Sequence, residues 1–330
     1  MLTPRRTLLA GASAAMGTLA LGSGARAATV PGRPYEVYDV FTDTPLTGNP
    51  VAVFTAPDGL SPEMMMAMTR EINYSECTFV FPASLPGCDF QVRFFAMNSG
   101  AEIPIAGHPT IGTVFSLAAR GKIAAGRRSI VLQLGVGPTP IDLEWQDNRL
   151  GFAWMQQQPP HMDGMLTDLP AAAAAMGLKA EDVAPLPIQQ VSCGAPFLMF
   201  PVKTRAAVDR AQLDRGAMGR LLDAAGLTRR GVLIFSLEQA DDGATAYSRM
   251  LGFGVTEDAA TGNASGPLGA YLVGHGLVPL DRAGRMISCQ GVHMHRPSRV
   301  YISASGHGMA DLSIRIGGSA VKAAEGTMLV

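Results

Sequence analysis

Three side chains in this sequence are of types that move protons, and each interrupts the pattern around it. Glu76, in NYSECTFV, enters an otherwise apolar strand, where loss of hydration raises a carboxyl pKa toward the range useful for proton transfer. His108 sits in AGHPT, at the expected start of a helix, and Asp258 follows Glu257 at the head of EDAATGNAS. A Glu, a His and an Asp converging on one cleft could move a proton on a carbon acid. Taken one at a time, each has a plainer role open to it: a solvated strand residue for Glu76, a helix cap for His108, a turn or N-cap residue for Asp258.

A second chemistry is carried by backbone. AGHPT (Ala106 to Thr110) and TGNAS (Thr261 to Ser265) are Gly-led helix starts, which expose N–H groups and the positive ends of helix dipoles. If both point into one cleft, they make an anion site suited to a carboxylate, built from backbone rather than from Lys or Arg. The plainer alternative is that these glycines only close turns and cap helices.

The elements that must position these groups are written twice. GNPVAVF (Gly48 to Phe54) is echoed 146 residues later by GAPFLMF (Gly194 to Phe200). Each is followed by an expected helix (PEMMMAMTREIN from Pro62; RGAMGRLLDAAG from Arg215), a short apolar strand (TFVFP from Thr78; VLIFS from Val232) and a strand bearing Arg93 or Arg249. EIPIAGHPTIGTVFSLAARG from Glu102 and EDAATGNASGPLGAYLVGHG from Glu257 then align without a gap at an offset of 155, with Gly107 on Gly262 and Gly121 on Gly276. The expected architecture is α+β: two similar domains, 34–150 and 160–325, joined near WMQQQPPHMDG, with the last strands able to return to the first domain. Residues 103–119 and 259–274 contain no Asp, Glu, Lys or Arg. A helix with no charged face is buried all round, so each should sit inside a mixed, curled sheet. Glu102 and Glu257, present in both halves, are expected to build the fold. Glu76, His108 and Asp258 are unmatched, which leaves them freer for chemistry.

The 330 residues carry 26 Lys and Arg against 27 Asp and Glu, a net charge of −1 that offers no basic field for nucleic acid. Residues 1–27 pair Arg5 with Arg6 ahead of an Ala/Gly/Leu run and end in Ala25-Arg26-Ala27, the form of a twin-arginine export signal. Its removal would take three arginines and no acid, leaving a net charge of −4. The expected location is the periplasm, or the cytoplasm if the leader is not processed. No later stretch approaches the roughly 20 apolar residues of a membrane span. Cys77, Cys88, Cys193 and Cys289 lie far apart with no CxxC and are expected as free thiols. MMMAM (Met64 to Met68) reads as helix packing, and AAAAAMGL (Ala171 to Leu178) as a helix opened by Thr167, Asp168 and Pro170. His293 and His295 are placed on one strand face, too few ligands for a metal centre.

YDVFTDTPLTGNPVAVF (Tyr38 to Phe54), REINYSECTFVFP (Arg70 to Pro82), EIPIAGHPTIG (Glu102 to Gly112), EDAATGNASGPLGAYL (Glu257 to Leu272) and QGVHMHRPSRVYI (Gln290 to Ile302) together resemble the PhzF, or phenazine-biosynthesis-like, family. The resemblance implies the diaminopimelate-epimerase fold, a site between two similar domains, a homodimer, and no cofactor or metal. It places the family's catalytic glutamate on Glu76, its histidine on His108 and its aspartate on Asp258. Candidate substrate-binding positions are Asn49, Gly107, Gly262, Asn263 and Ala264. The two places where related racemases carry opposing cysteines hold Ala106 and Thr261, neither of which exchanges a carbon-bound proton. By the same resemblance Ala259 replaces a common proline, Asn263 a common serine, and the stretch from Arg249 to Glu257 is about two residues short. The expected function is cofactor-independent isomerisation of a small carboxylic acid by Glu76. Its alternatives are an epimerase using Glu76 with a second base, and a non-catalytic periplasmic binding relative.

Overall fold

The computed structural model describes residues 32–254 and 257–330, so the leader at 1–27 lies outside the described residues, as do positions 255 and 256 of the short stretch before Glu257. In the first half, β1 (Gly32–Val40) and β2 (Asn49–Phe54) pair antiparallel, and α1 (Pro62–Ile72) crosses to β3 (Glu76–Pro82), parallel to β2. β4 (Phe90–Ala96) returns against β3 and takes the short β5 (Ala101–Ile103) on its flank. α2 (Gly107–Ala119) then crosses to β6 (Ser129–Leu134), parallel to β4, and β7 (Gly137–Gln146) and β8 (Arg149–Gln156) follow antiparallel.

The second half opens with β9 (His161–Leu166) and α3 (Leu169–Ala175), then repeats the scheme. β10 (Ile188–Ser192) and β11 (Pro196–Val202) pair antiparallel; α4 (Arg205–Arg210) and α5 (Arg215–Ala224) cross to β12 (Gly231–Ser236), parallel to β11. β13 (Ala246–Gly252) returns, and α6 (Gly262–Gly274) crosses to β14 (Met286–Gln290), parallel to β13. β15 (Ser298–Ser305), β16 (Ser313–Gly318) and β17 (Ala320–Leu329) complete the chain. β16 pairs with β8 and β17 with β1, so both halves belong to one 17-stranded sheet among the described residues.

Each half curls around its uncharged helix. All residues of α2 from Gly107 to Leu117 are buried, and its neighbours are β1, β2, β3, β8 and β17; α6 is buried against β10, β11, β15 and β16. Hydroxyls inside these helices are satisfied by bonding back one turn, as Thr110 does to the Ala106 carbonyl and Ser265 to that of Thr261. The matched acids have matched partners. Glu102 forms a two-pronged pair with Arg93, and Glu257 does the same with the buried Arg249, whose guanidinium also donates to the carbonyls of Val208, Asp209 and Ala211.

Met65, Met66 and Met68 pack inward from α1, α3 is capped by Asp168, and the four cysteines are free. One expectation is corrected. His293 and His295 do not share a strand face: Gly291 (φ 76°) and His295 (φ 56°) both adopt left-handed backbone and fold Val292–Met294 into a 3-10 turn. No group of three metal-ligating side chains occurs among the described residues.

Candidate active site

The two buried helices meet start to start. A Cβ placed on Gly107 would lie 2.9 Å from the Cα of Gly262 and 3.1 Å from the amide nitrogen of Asn263, and one on Gly262 would lie 3.1 Å from the Cα of Gly107. Only glycine permits this approach of backbone to backbone. The N-caps are Ala106 and Thr261. In α2 the third position is Pro109, which has no N–H, so the amides ahead of the intrahelical ladder are those of Gly107 and His108. In α6 the amides of Ala264 and Ser265 already donate to the Thr261 carbonyl, which leaves those of Gly262 and Asn263. Asn263 also ties the helix starts together, its Nδ2 donating to the Ile105 carbonyl at 3.3 Å.

This junction forms one wall of a cavity of about 260 Å³, which Glu76, His108 and Asp258 line together with Ser75, Gly107, Gly262, Asn263, Phe197, Arg229 and Arg230. Glu76 reaches it as the first residue of β3, while alternation along the strand turns Cys77 into the core under α1. The structure thus brings Glu76, His108 and Asp258, with Gly107, Gly262 and Asn263, into one enclosure. Asn49 and Ala264 do not line it. Ala264 is fully buried with its amide engaged. Asn49 stands behind the cavity, its Nδ2 2.7 Å from Asp258 Oδ1, 2.8 Å from the Ala260 carbonyl and 3.2 Å from His108 Nδ1. The loop before it is held by the other half, since Arg296 donates to the Gly48 and Thr47 carbonyls and pairs with Asp39.

The electrostatics separate the two carboxyls. Burial is the largest cause raising both pKa values, and for Glu76 the neighbouring Asp258 charge raises it further. Asp258 has two donors working against the rise, Asn49 on Oδ1 and the Thr261 hydroxyl at 2.6 Å on Oδ2. Glu76 Oε2 has no hydrogen-bond partner and faces His108 Nε2, likewise unpartnered, at 3.6 Å. The donors on Asp258 favour its charged form, and the Asp258 charge in turn favours the protonated form of Glu76. Burial pushes His108 down to about 3, so the imidazole beside Glu76 is neutral and the contact is not an ion pair.

A stability consequence follows. A carboxyl whose pKa is raised by folding leaves stability intact below its unfolded pKa and removes it as pH rises through the folded one. Glu76→Gln, which stays neutral, is expected to melt above wild type at about pH 8 and level with it at about pH 4. Thermal melts across pH check this, and a difference that shrinks with rising pH would contradict the burial argument.

Besides the helix-start amides, the cavity wall carries two cationic side chains. Arg229 and Arg230 line the same cavity, and sequence symmetry did not single them out. Arg229 is paired with Asp223. Arg230 lies with its guanidinium 5.4 Å from the Phe197 ring centroid.

Comparison with known proteins agrees with this architecture. The sequence profile of a family described as phenazine biosynthesis-like protein, PhzC-PhzF, matches residues 38–326. The chain is 36% identical over 295 residues to trans-2,3-dihydro-3-hydroxyanthranilate isomerase of Pseudomonas aeruginosa, covering 88% of this chain and 98% of that one. A solved PhzF-family protein of Bacillus anthracis superposes with a TM-score of 0.81 at 28% identity, covering 91% of this chain and all of its own (100%). A Pseudomonas aeruginosa protein described as a predicted epimerase does so with a TM-score of 0.75 at 31% identity, covering 90% and 99%. The two-halved, helix-filled sheet is the diaminopimelate epimerase-like fold of these relatives.

Proposed function

Because the chain belongs to the phenazine biosynthesis-like family, we propose that it is a cofactor-independent isomerase that moves a proton between carbons of a small carboxylic acid, with Glu76 as the carrier. The observation that carries this reading is the Glu76 carboxyl itself: largely buried, raised in pKa, with its Oε2 unpartnered, and beside a neutral imidazole in a cavity sized for a small molecule.

In this reading the Glu76 carboxylate removes a proton from a carbon next to an unsaturated system. The same carboxyl then returns it to a second carbon on the same face, so Glu76 ends as it began. The amides of Gly107, His108, Gly262 and Asn263 hold the substrate carboxylate, and the two helix dipoles offset the negative charge that develops as the C–H bond breaks. His108, neutral, borders the reacting carboxyl with its Nε2 3.6 Å from Glu76 Oε2, a free ring edge turned to the substrate space. Asp258, whose charged form Asn49 and Thr261 support, favours the protonated form of Glu76 once the proton has been taken.

The named activity of the Pseudomonas aeruginosa relative supplies the first compound to try, trans-2,3-dihydro-3-hydroxyanthranilate. Wild-type protein incubated with it in D2O is expected to place solvent deuterium on a ring carbon and to shift the diene absorbance, followed by NMR and ultraviolet spectra. Inversion of the exchanged carbon without movement of the double bonds would favour an epimerase, with Asp258 as the opposing base. Tight binding of candidate acids with no exchange in any of them would favour a binding protein and sink the isomerase reading.

A further inference from the structure

The cavity contains a cation that the proton-transfer scheme does not use. Arg230 stands immediately ahead of β12, at the ladder register that Ser75 holds ahead of β3, and both line the cavity. Its neighbour Arg229 is neutralised by Asp223, and Arg249 by Glu257. Arg230 makes no ion pair among the described residues, and the Phe197 ring supports its guanidinium from below. Its charge is felt at Glu76 without the two forming an ion pair.

A guanidinium steadied on a ring presents a planar fork that fits a carboxylate through two parallel hydrogen bonds. The amides at the helix starts are taken by the first carboxylate, so they cannot serve this second position. A dianion entering beside the Asp258 charge needs a cation of its own, and Arg230 is the cavity-lining arginine left for it. We propose that Arg230 receives a second anionic group of the substrate, making the cavity selective for dianionic acids over monoanionic ones. The proposal rests on the reading above only for the place of the first carboxylate.

Calorimetric titration of the full chain with benzoate, 3-carbamoylbenzoate and isophthalate tests it, since the three share a ring and differ in the second substituent. Isophthalate is expected to bind wild type about tenfold more tightly than either monoanion, as a charge-assisted pair at a cavity wall implies. Arg230→Gln should erase that preference and leave benzoate unchanged, while Arg230→Lys, a point charge without the fork, should keep part of it. Equal affinities in wild type, or a preference that survives Arg230→Gln, would overturn the proposal. Binding needs no proton transfer, so the two readings fail separately. Preference without exchange removes the Glu76 scheme and keeps Arg230; exchange without preference does the reverse.

Discussion

Glu76→Gln is expected to lower solvent-deuterium exchange by about 10²- to 10⁴-fold, the usual worth of a positioned acid–base group. The amide keeps the size and neutrality of the protonated carboxyl, so the cavity, the helix starts and ligand affinity should remain. The loss therefore belongs in turnover and not in KM. The pH profile sharpens the test. The first step needs the carboxylate, so wild-type rate should climb with pH along a limb that lies above the ordinary carboxylate range, because burial and Asp258 raise Glu76. Residual exchange in Glu76→Gln should lack that limb. An unchanged rate, or an unchanged limb, would take Glu76 out of the mechanism.

Gly107→Ala should be nearly as damaging without touching any reacting group. Its methyl would meet the Gly262 Cα at 2.9 Å and the Asn263 nitrogen at 3.1 Å, both backbone atoms that cannot rotate aside. Relief requires the two helix starts to part. Overpacking of this kind costs about 1–3 kcal/mol. Parting them also widens the amide cradle, and a misplacement of about 1 Å is worth about 100-fold in rate. Melting temperature and exchange should fall together. Gly284→Ala, where an added Cβ meets nothing within 4 Å, is the control and should behave as wild type. A Gly107→Ala protein with normal rate and melting would mean that the junction is not under steric constraint.

Much of this arrangement is legible in the residues because the chain states it twice. The uncharged runs at 103–119 and 259–274 announce α2 and α6 as enclosed helices, and the registered Gly107 and Gly262 announce their starts. The acids without a counterpart, Glu76 and Asp258, come together in the cavity with His108. What stays illegible depends on contacts between distant segments. From the sequence, Asn49 is a candidate substrate-binding position. Its part in holding Asp258, 209 positions away, exists only once the start of β2 meets the segment ahead of α6. The left-handed backbone at Gly291 and His295 undoes a strand that alternation alone suggests. The counterpart of Arg230 is Ser75 only in the strand ladders; the sequence repeat as aligned from Thr78 and Val232 sets it one position away, on Glu76. An arginine next to a second arginine at a strand entry reads as ordinary solvated surface; that this exposed side chain rests on Phe197 at the wall of the cavity shows only in the fold.

The return of β17 to β1 also has a temporal meaning. β1 lies between β2 and β17, so the first strand of the described chain lacks its second neighbour until residues beyond 320 have emerged. Until then β1 is a bare edge open to the wrong partner, and α2 lacks one of the strands that enclose it. The first half cannot close on itself during synthesis, although its own repeat is complete by β8. Pairing at such sequence separation is slow to form. The proton-transfer cavity, built at the seam of both halves, therefore matures only after the ribosome has delivered the last strand.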